Sequence, residues 1–496
     1  MAQAILRDDF TDADYARFQA RLRDNLEALR LVLARAGFGE GAPTLGAELE
    51  LCIVDANGRA KGINRDILRR HLDPRLSLEL NKFNLEYNLT PVPAAGRPFS
   101  ALEDELAGAL RSINHTASAL EARVIPIGIL PTLTPEDVAH TALSDSPRYR
   151  ALSNGLRRAR SAPFRVRIDG TDPLCMEGDD ITLEGANTSF QVHLRVAPRD
   201  FAATYNAAQL ATPIALAVSG NSPVFCGHRL WEETRVALFK QALDVRDLVE
   251  QHWRPPARVS FGHGWVRQGA YELFAESVAL FPPILPISGT EDAIAVARDG
   301  ACPRLEELRL QQGTVWRWNR AIYDPAGDGH LRIEMRALPA GPTALDMAAN
   351  AALLVGLTCA LRREVDALLP ALPFTYAEWN FYRAAQRGLE ARLLWPSARA
   401  PSPAPVSARA LVARYLPAAG EALAALGVDH AEVARLLGVI QGRLDRGVTG
   451  ARWQRERLDE CLLHRRRDDA LACMMEGYIA RSLAGRPVHE WDHRVP

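Results

Sequence analysis

The chain has 496 residues, of which 48% are hydrophobic and 24% charged, so it can bury a sizeable core as one large domain or two to three smaller ones. A net charge of -1 and a pI near 6.9 exclude a global field that would draw it to nucleic acid or to an anionic membrane. Its seven cysteines are odd in number, scattered and without a CxxC pair; this excludes a disulfide framework or zinc knuckle and fits reduced thiols in a cytoplasm.

The N-terminal MAQAILRDDFTDADYARF is acidic and has no apolar core, so no signal peptide is expected. Phe18, Leu22, Leu26, Leu29 and Leu33 recur at helical spacing and predict a helix over 11–36, ending at Gly37. TLGAELELCIVD (44–55) then alternates as a strand. Leu45, Ala47, Leu49, Leu51 and Ile53 share one face, and Glu48, Glu50 and Cys52 share the other. LSLELNKFNLEYNLTP (76–91) alternates again, as a strand or hairpin broken near Asn81 and Lys82. Residues 98–124 predict a long helix capped by Ser100 with an acidic first turn, and VIPIGILP (124–131) a short buried strand. Residues 132–180 read as loop-rich and polar. EGDDITLEGAN carries Glu177, Asp179, Asp180 and Glu184, which read as a flexible loop or as an active-site lid.

ANTSFQVHLRVAP (186–198) is a strongly alternating strand, followed by helices at about 200–218 and 230–251 on either side of SGNSPVFCG. FGHGWVRQGAYELFAES (261–277) mixes glycine with aromatics, and its His263 and Trp265 read as pocket or as packing. GTVWRWNRAIY (313–323) and HLRIEMRAL (330–338) predict paired strands around the turn DPAGDG. Residues 343–365 predict an apolar helix. Runs such as 347–361 are too short and interrupted to span a bilayer, so no membrane partner is expected. ARAPSPAPVSAR (398–409) is linker-like and residues 409–485 read as helices. The expected organisation is one catalytic domain over 1–395 and a helical C-terminal region over 396–496.

Alternating strands among long helices predict an α+β fold with a mostly antiparallel sheet, not a doubly wound parallel one. No GxxxxGK[ST] occurs, so there is no P-loop, and FGHGWVRQG lacks dinucleotide-fingerprint spacing. The polar strand faces carry Glu48 and Glu50; Asn84, Glu86 and Asn88; Ser189, Gln191, His193 and Arg195; and Arg332, Glu334 and Arg336. Joined in one sheet, they would form a basin of carboxylates ringed by arginines. Clustered carboxylates repel one another unless a cation sits among them, and hard oxygen ligands suit Mg²⁺ or Mn²⁺. Arginines opposite would clamp phosphate or carboxylate, as phosphoryl transfer without a P-loop requires. The residues alone leave two other readings open: solvated sheet faces, and a different metal chemistry.

TLGAELEL, NLEYNLTPVP, TSFQVHLRV, GNSPVFCG and LRIEMRALPAGPT, in that order, resemble the motif succession of the glutamate–cysteine ligase family, in its bacterial family-2 (carboxylate–amine ligase) branch. TGARWQRER (449–457) is similar to a motif near the family's C-terminus. The resemblance implies a glutamine-synthetase-like fold, with a curved, mostly antiparallel sheet forming a funnel and helices outside it. It implies ATP-dependent activation of a glutamate-like carboxylate as an acyl phosphate, then attack by an amine, with Mg²⁺ or Mn²⁺ as cofactor. It puts Glu48, Glu50, Glu86 and Glu334 on metal ligands. It gives Arg336 and His193 catalytic positions, and sets Gln191, Arg332 and Arg235 against nucleotide and acidic substrate. The implied partners are a small-molecule acid and amine, and a second copy of the chain, with no nucleic acid. RALPAGP departs from the family's aspartate-bearing turn, and the segments around His263 and Trp316 leave the substrates open. A phosphotransferase of the same fold, or a non-catalytic small-molecule sensor, are the rival readings.

Overall fold

The computed structural model describes residues 5, 7–160, 162–178, 181–246, 255–397 and 402–492. At its centre lies an eight-stranded, curled antiparallel sheet. Its main path uses β1 (Thr44–Val54), β2 (Leu76–Leu78), β3 (Asn84–Asn88), β4 (Phe190–Val196), β5 (Asn319–Asp324) and β6 (His330–Met335), in the spatial order β5-β6-β4-β1-β3-β2. Two short strands, Val92–Pro93 and Arg123–Ile125, add to β1. The strand predicted over 124–131 is thus three residues long, because Pro126 has no N–H to give to the ladder.

The two-residue period of the strands sorts the sheet. Leu45, Leu49, Leu51, Leu85, Phe190, Val192, Leu194, Ile333 and Met335 are buried in the main core. Helices α2 (Pro98–Ser118), α3 (Phe201–Ser219) and α5 (Ala344–Arg362) cover that face. α2 begins at Pro98, whose missing N–H suits a first helical position. Ser100, expected as its cap, lies inside the helix, and its N–H is taken by Glu432 Oε1 at 2.5 Å. The first turn holds no acidic residue.

Helix α1 (Asp12–Leu33) is capped by Thr11 through a reciprocal pair of bonds with Asp14. The helix expected over 230–251 is α4 (Thr234–Ala242); residues 247–254 lie outside the described ones. The stretch read as loop holds a helix, Pro147–Ala159, and a hairpin of Phe164–Ile168 with Leu174–Gly178.

α5 has a mean hydropathy of 1.7, long and apolar enough by length and composition to cross a membrane, against the expectation that this run is too short. Burial of 83% of that window identifies it as a core helix. It is enclosed by α2, α3, α6 (Ala408–Ala425) and α7 (His430–Arg446). Ala404–Ser407, inside the linker-like run, pairs as a strand with Arg392–Trp395. α8 (Gly450–Leu462) and α9 (Arg467–Ala484) form a hairpin over a second core holding Trp453, Tyr478 and Trp491.

Candidate active site

Cross-strand partners in an antiparallel sheet point to the same face. The register sets Glu50 opposite Glu86, and Glu48 between Asn88 and Gln191. Glu334 lies between His193 and Arg320. All four predicted glutamates therefore share one face with Gln191 and His193.

They do not form a single cluster. Glu48, His193 and Glu334 bring one ligand atom each within 4.8 Å of one another, and Glu50, Glu79 and Glu86 do the same. His193 Nε2 lies 3.2 Å from Glu48 and 3.8 Å from Glu334. Arg332 donates from Nε to His193 Nδ1 at 3.2 Å, so Nδ1 is the acceptor and the ring proton sits on Nε2. Arg332 also pairs with Asp324 at 2.6 Å, which sets it behind the histidine.

The two groups differ in charge balance. Arg320 clasps Glu334 with both arms, at 2.5 and 2.9 Å, and Arg336 approaches it at 3.3 Å. Burial works against the charge on Glu334, but these two arginines and His193 outweigh it and hold the carboxyl well below its usual range. Glu48 is likewise lowered: burial opposes its charge, and neighbouring His193 overcomes that.

Glu50, Glu79 and Glu86 go the other way. Burial, then repulsion from Glu48 and Glu50, pushes Glu86 up to about 8. Burial and the charges of Glu86, Glu50 and Glu184 push Glu79 up strongly. Glu50 is raised by burial, partly offset by Arg336 and Arg235. Glu50 also accepts from Ser189 N–H at 2.6 Å and from Gln191 Nε2 at 3.1 Å, and Gln191 Oε1 in turn takes Arg336 at 2.6 Å. Three half-buried carboxylates, none salt-bridged to an arginine among the described residues, fit a divalent cation, whose charge removes the repulsion.

Beside Glu50 a cleft opens between the sheet and α4, walled by Glu184, Asn187, Arg235, Phe239, Trp318 and Arg336. Arg235 is buried, donating from Nε to Glu233 at 2.7 Å and from Nη2 to the Ala337 carbonyl at 2.8 Å. Burial and the charge of Glu50 push Glu184 up to about 8. Of the acidic loop, Glu184 thus joins the site. Glu177 pairs with Arg165 in the hairpin, and Asp179 and Asp180 lie outside the described residues. His263 faces Glu276 and Phe281, and Trp265 packs on Phe374, apart from both carboxylate groups. Glu79 and Arg320 were absent from the sequence-based set. Their signal was phase: Glu79 is two residues from Ser77, which faces Glu86, and Arg320 sits opposite Glu334.

The family model for glutamate–cysteine ligase family 2 matches residues 44–484. No curated relative matches the sequence. Among solved structures, the fold is similar to a glutamate–cysteine ligase from Francisella tularensis in complex with AMP, with a TM-score of 0.52 and 9% identity over 92% of this chain and 91% of that one. It is also similar to a bifunctional glutathione synthetase from Pasteurella multocida, with a TM-score of 0.50 and 12% identity over 94% of this chain and 55% of that one. At such identities the likeness is one of fold.

Proposed function

We propose, for a chain that belongs to glutamate–cysteine ligase family 2 and is an ATP-dependent carboxylate–amine ligase, that it activates a glutamate-like carboxylate as an acyl phosphate and joins it to an amine. The observation that supports this reading is the register that gathers Glu48, Glu50, Glu86 and Glu334 on one sheet face with Arg320 and Arg336 among them.

On this reading Glu48 and Glu334, and separately Glu50, Glu79 and Glu86, would hold divalent cations, with the protonated Nε2 of His193 beside the first pair. Such cations supply the positive charge that nucleotide phosphates need. Arg336, bonded to Gln191 and Glu334, has a fixed orientation and stabilises charge on the transferred phosphoryl group. Arg320 keeps Glu334 ionised. His193, held by Arg332, keeps its Nε2 directed at Glu48 and Glu334. Arg235, fixed by Glu233 and the Ala337 carbonyl, presents a preorganised cation to an acidic substrate in the cleft.

The test is ADP release by purified protein with Mg²⁺, ATP, L-glutamate and a panel of amines. ADP that appears only with both acid and amine supports ligation, whereas phosphate transfer to the acid alone, indifferent to amine, replaces it with a phosphotransferase. Glu48→Gln and Glu50→Gln are each expected to abolish Mg²⁺-dependent turnover; activity within about tenfold of wild type would remove these glutamates from the site.

A further inference from the structure

Away from both carboxylate groups, a cavity of about 200 Å³ opens where the start of α9 meets the loop around Leu133 and the hairpin of Val224–Phe225 with His228–Arg229. Arg59, Leu133, Cys226, Arg467, Asp468 and Leu471 line it, and none of them belongs to the basin. Its walls are held by bonds of their own. The Asp55 carboxylate accepts the N–H of Asn57 at 2.8 Å and that of Arg59 at 2.9 Å. The Thr132 hydroxyl donates to the Gly58 carbonyl, and Thr134 donates from N–H and hydroxyl to Asp137 at 2.9 and 3.0 Å. Cys226 and Gly227, which close the GNSPVFCG motif, form the two-residue turn of the hairpin, with φ of +47° and +74°. Such a turn favours asparagine, aspartate or glycine at its first position, so a cysteine there is strained. Strain of this kind marks places where the side chain is needed, and here it sets a half-buried thiol in the cavity wall.

The charges of the cavity do not meet. Arg59 and Asp468 are exposed and opposite in sign, yet neither side chain has a hydrogen-bond or ion-pair partner among the described residues, so they lie beyond ion-pair distance of each other. Arg467 reaches only Asp172, at 3.9 Å. It lies directly on the turn: a Cβ at Gly227 would stand 3.3 Å from its Cδ. Leu133 and Leu471 are buried and give the cavity an apolar floor. The cavity therefore offers two guanidinium groups, a separate carboxylate and a hydrocarbon surface.

We propose that this cavity is a second binding site, and that it takes a free apolar α-amino acid. The ligand's carboxylate lies against Arg59 and Arg467, its ammonium against Asp468, and its aliphatic side chain on Leu133 and Leu471. A cation and an anion held apart over an apolar floor complement a zwitterion with a hydrocarbon side chain, and disfavour molecules that carry only one of its charges. A closed cavity of about 150 Å³ accommodates benzene, so about 200 Å³ with an open mouth is room for leucine. The occupant joins α9, whose Tyr478 holds Asn221, to the hairpin that leads on to α4 and Arg235. Binding here is separate from the place where acid and amine would react.

Isothermal titration of the full chain with L-leucine, without Mg²⁺ or nucleotide, tests it. Isocaproate, which lacks the ammonium, and isoamylamine, which lacks the carboxylate, are titrated beside it. L-Leucine is expected to bind with a Kd of about 1 mM or lower, and the two analogues at least about tenfold more weakly. Arg59→Gln and Asp468→Asn change exposed side chains, and each is expected to weaken L-leucine by roughly tenfold or more with Tm unchanged. Three results each overturn the assignment: no saturable heat from L-leucine up to about 10 mM, equal affinity for isocaproate, or affinities of both variants within about twofold of wild type. The last would put the bound leucine elsewhere on the protein. The ligase reading stands or falls separately, on amine-dependent ADP release.

Discussion

Glu334 and Glu86 face the same basin and are shifted in opposite directions: both are opposed by burial, but Glu334 has two arginines against it, whereas the carboxylates of Glu48 and Glu50 outweigh the Asn88 amide and the charge of Arg148 at Glu86. This has a consequence for pH. Glu86 and Glu184 are both pushed up to about 8, while an unfolded chain ionises glutamate near about 4.3. Between those values the folded metal-free protein binds more protons than the unfolded one, so its stability falls as pH rises through the window. In EDTA, Tm is expected to drop by roughly 5 °C or more from pH 5 to pH 8. Mg²⁺ should flatten that slope by replacing protons with cation charge, and Glu86→Gln should flatten it without metal. A melting temperature that rises with pH in EDTA would contradict the electrostatics. At this scale the sequence was readable wherever alternation ran long enough: Glu48, Glu50, Glu86 and Glu334 all lie on the polar phase of strands. Glu79 was in phase with Ser77 but lies just past the end of β2 at Leu78, short of the break read near Asn81 and Lys82, and was not counted among the polar faces.

Among elements, the loop after α3 links the C-terminal hairpin to the cleft. Asn221 is fully buried and donates from Nδ2 to the Ala340 carbonyl at 2.7 Å and to Tyr478 Oη at 2.9 Å. Its Oδ1 accepts from Gln454 Nε2 at 2.8 Å, and its N–H reaches Glu233 Oε2 at 2.9 Å. Glu233 Oε1 in turn holds Ser222 Oγ and Arg235 Nε, at 2.6 and 2.7 Å. One residue, through its side chain on one hand and its backbone N–H on the other, thus ties α8 and α9 to the arginine at the cleft wall. Asn221→Ala strands the Ala340 carbonyl in a dry interior and leaves Gln454 Nε2 only its 3.2 Å bond to the residue 221 carbonyl, and is expected to cost roughly 1–3 kcal/mol, read as a lower urea midpoint at constant m-value. A loss under about 0.5 kcal/mol would mean that these bonds are replaced by others. GNSPVFCG and TGARWQRER stood out as motifs, but nothing in their spacing told that they meet. Hydrogen bonds between loop and helix have no period to read.

For the molecule as a whole, the apolar run 347–361 and the helical character of 409–485 were visible, but not that the second sheathes the first. α6 and α7 pack on α5, Arg443 of α7 pairs with Asp346 at 2.8 Å, and Glu432 takes the N–H of Ser100 in α2. A chain ending at residue 397 uncovers a helix that is apolar all round. It is expected to be insoluble, or to lack the cooperative thermal transition of the full chain in near-ultraviolet circular dichroism. A sharp transition in the truncated protein would show that the first 397 residues fold alone.

The sheet order carries a cost in synthesis. β1 pairs with β4, and β4 with β6, so the floor of the basin joins residues near 48 to residues near 334. At about 5–20 residues per second, a ribosome takes tens of seconds to cover that interval. For the first half of it β1 waits with an unpaired edge and an aliphatic face, and for the second half β4 does, each a template for pairing with neighbouring nascent chains. The sheath of α5 arrives later still. Yield in a cell should therefore depend on holdase chaperones acting on the polysome, more than on the stability of the finished protein.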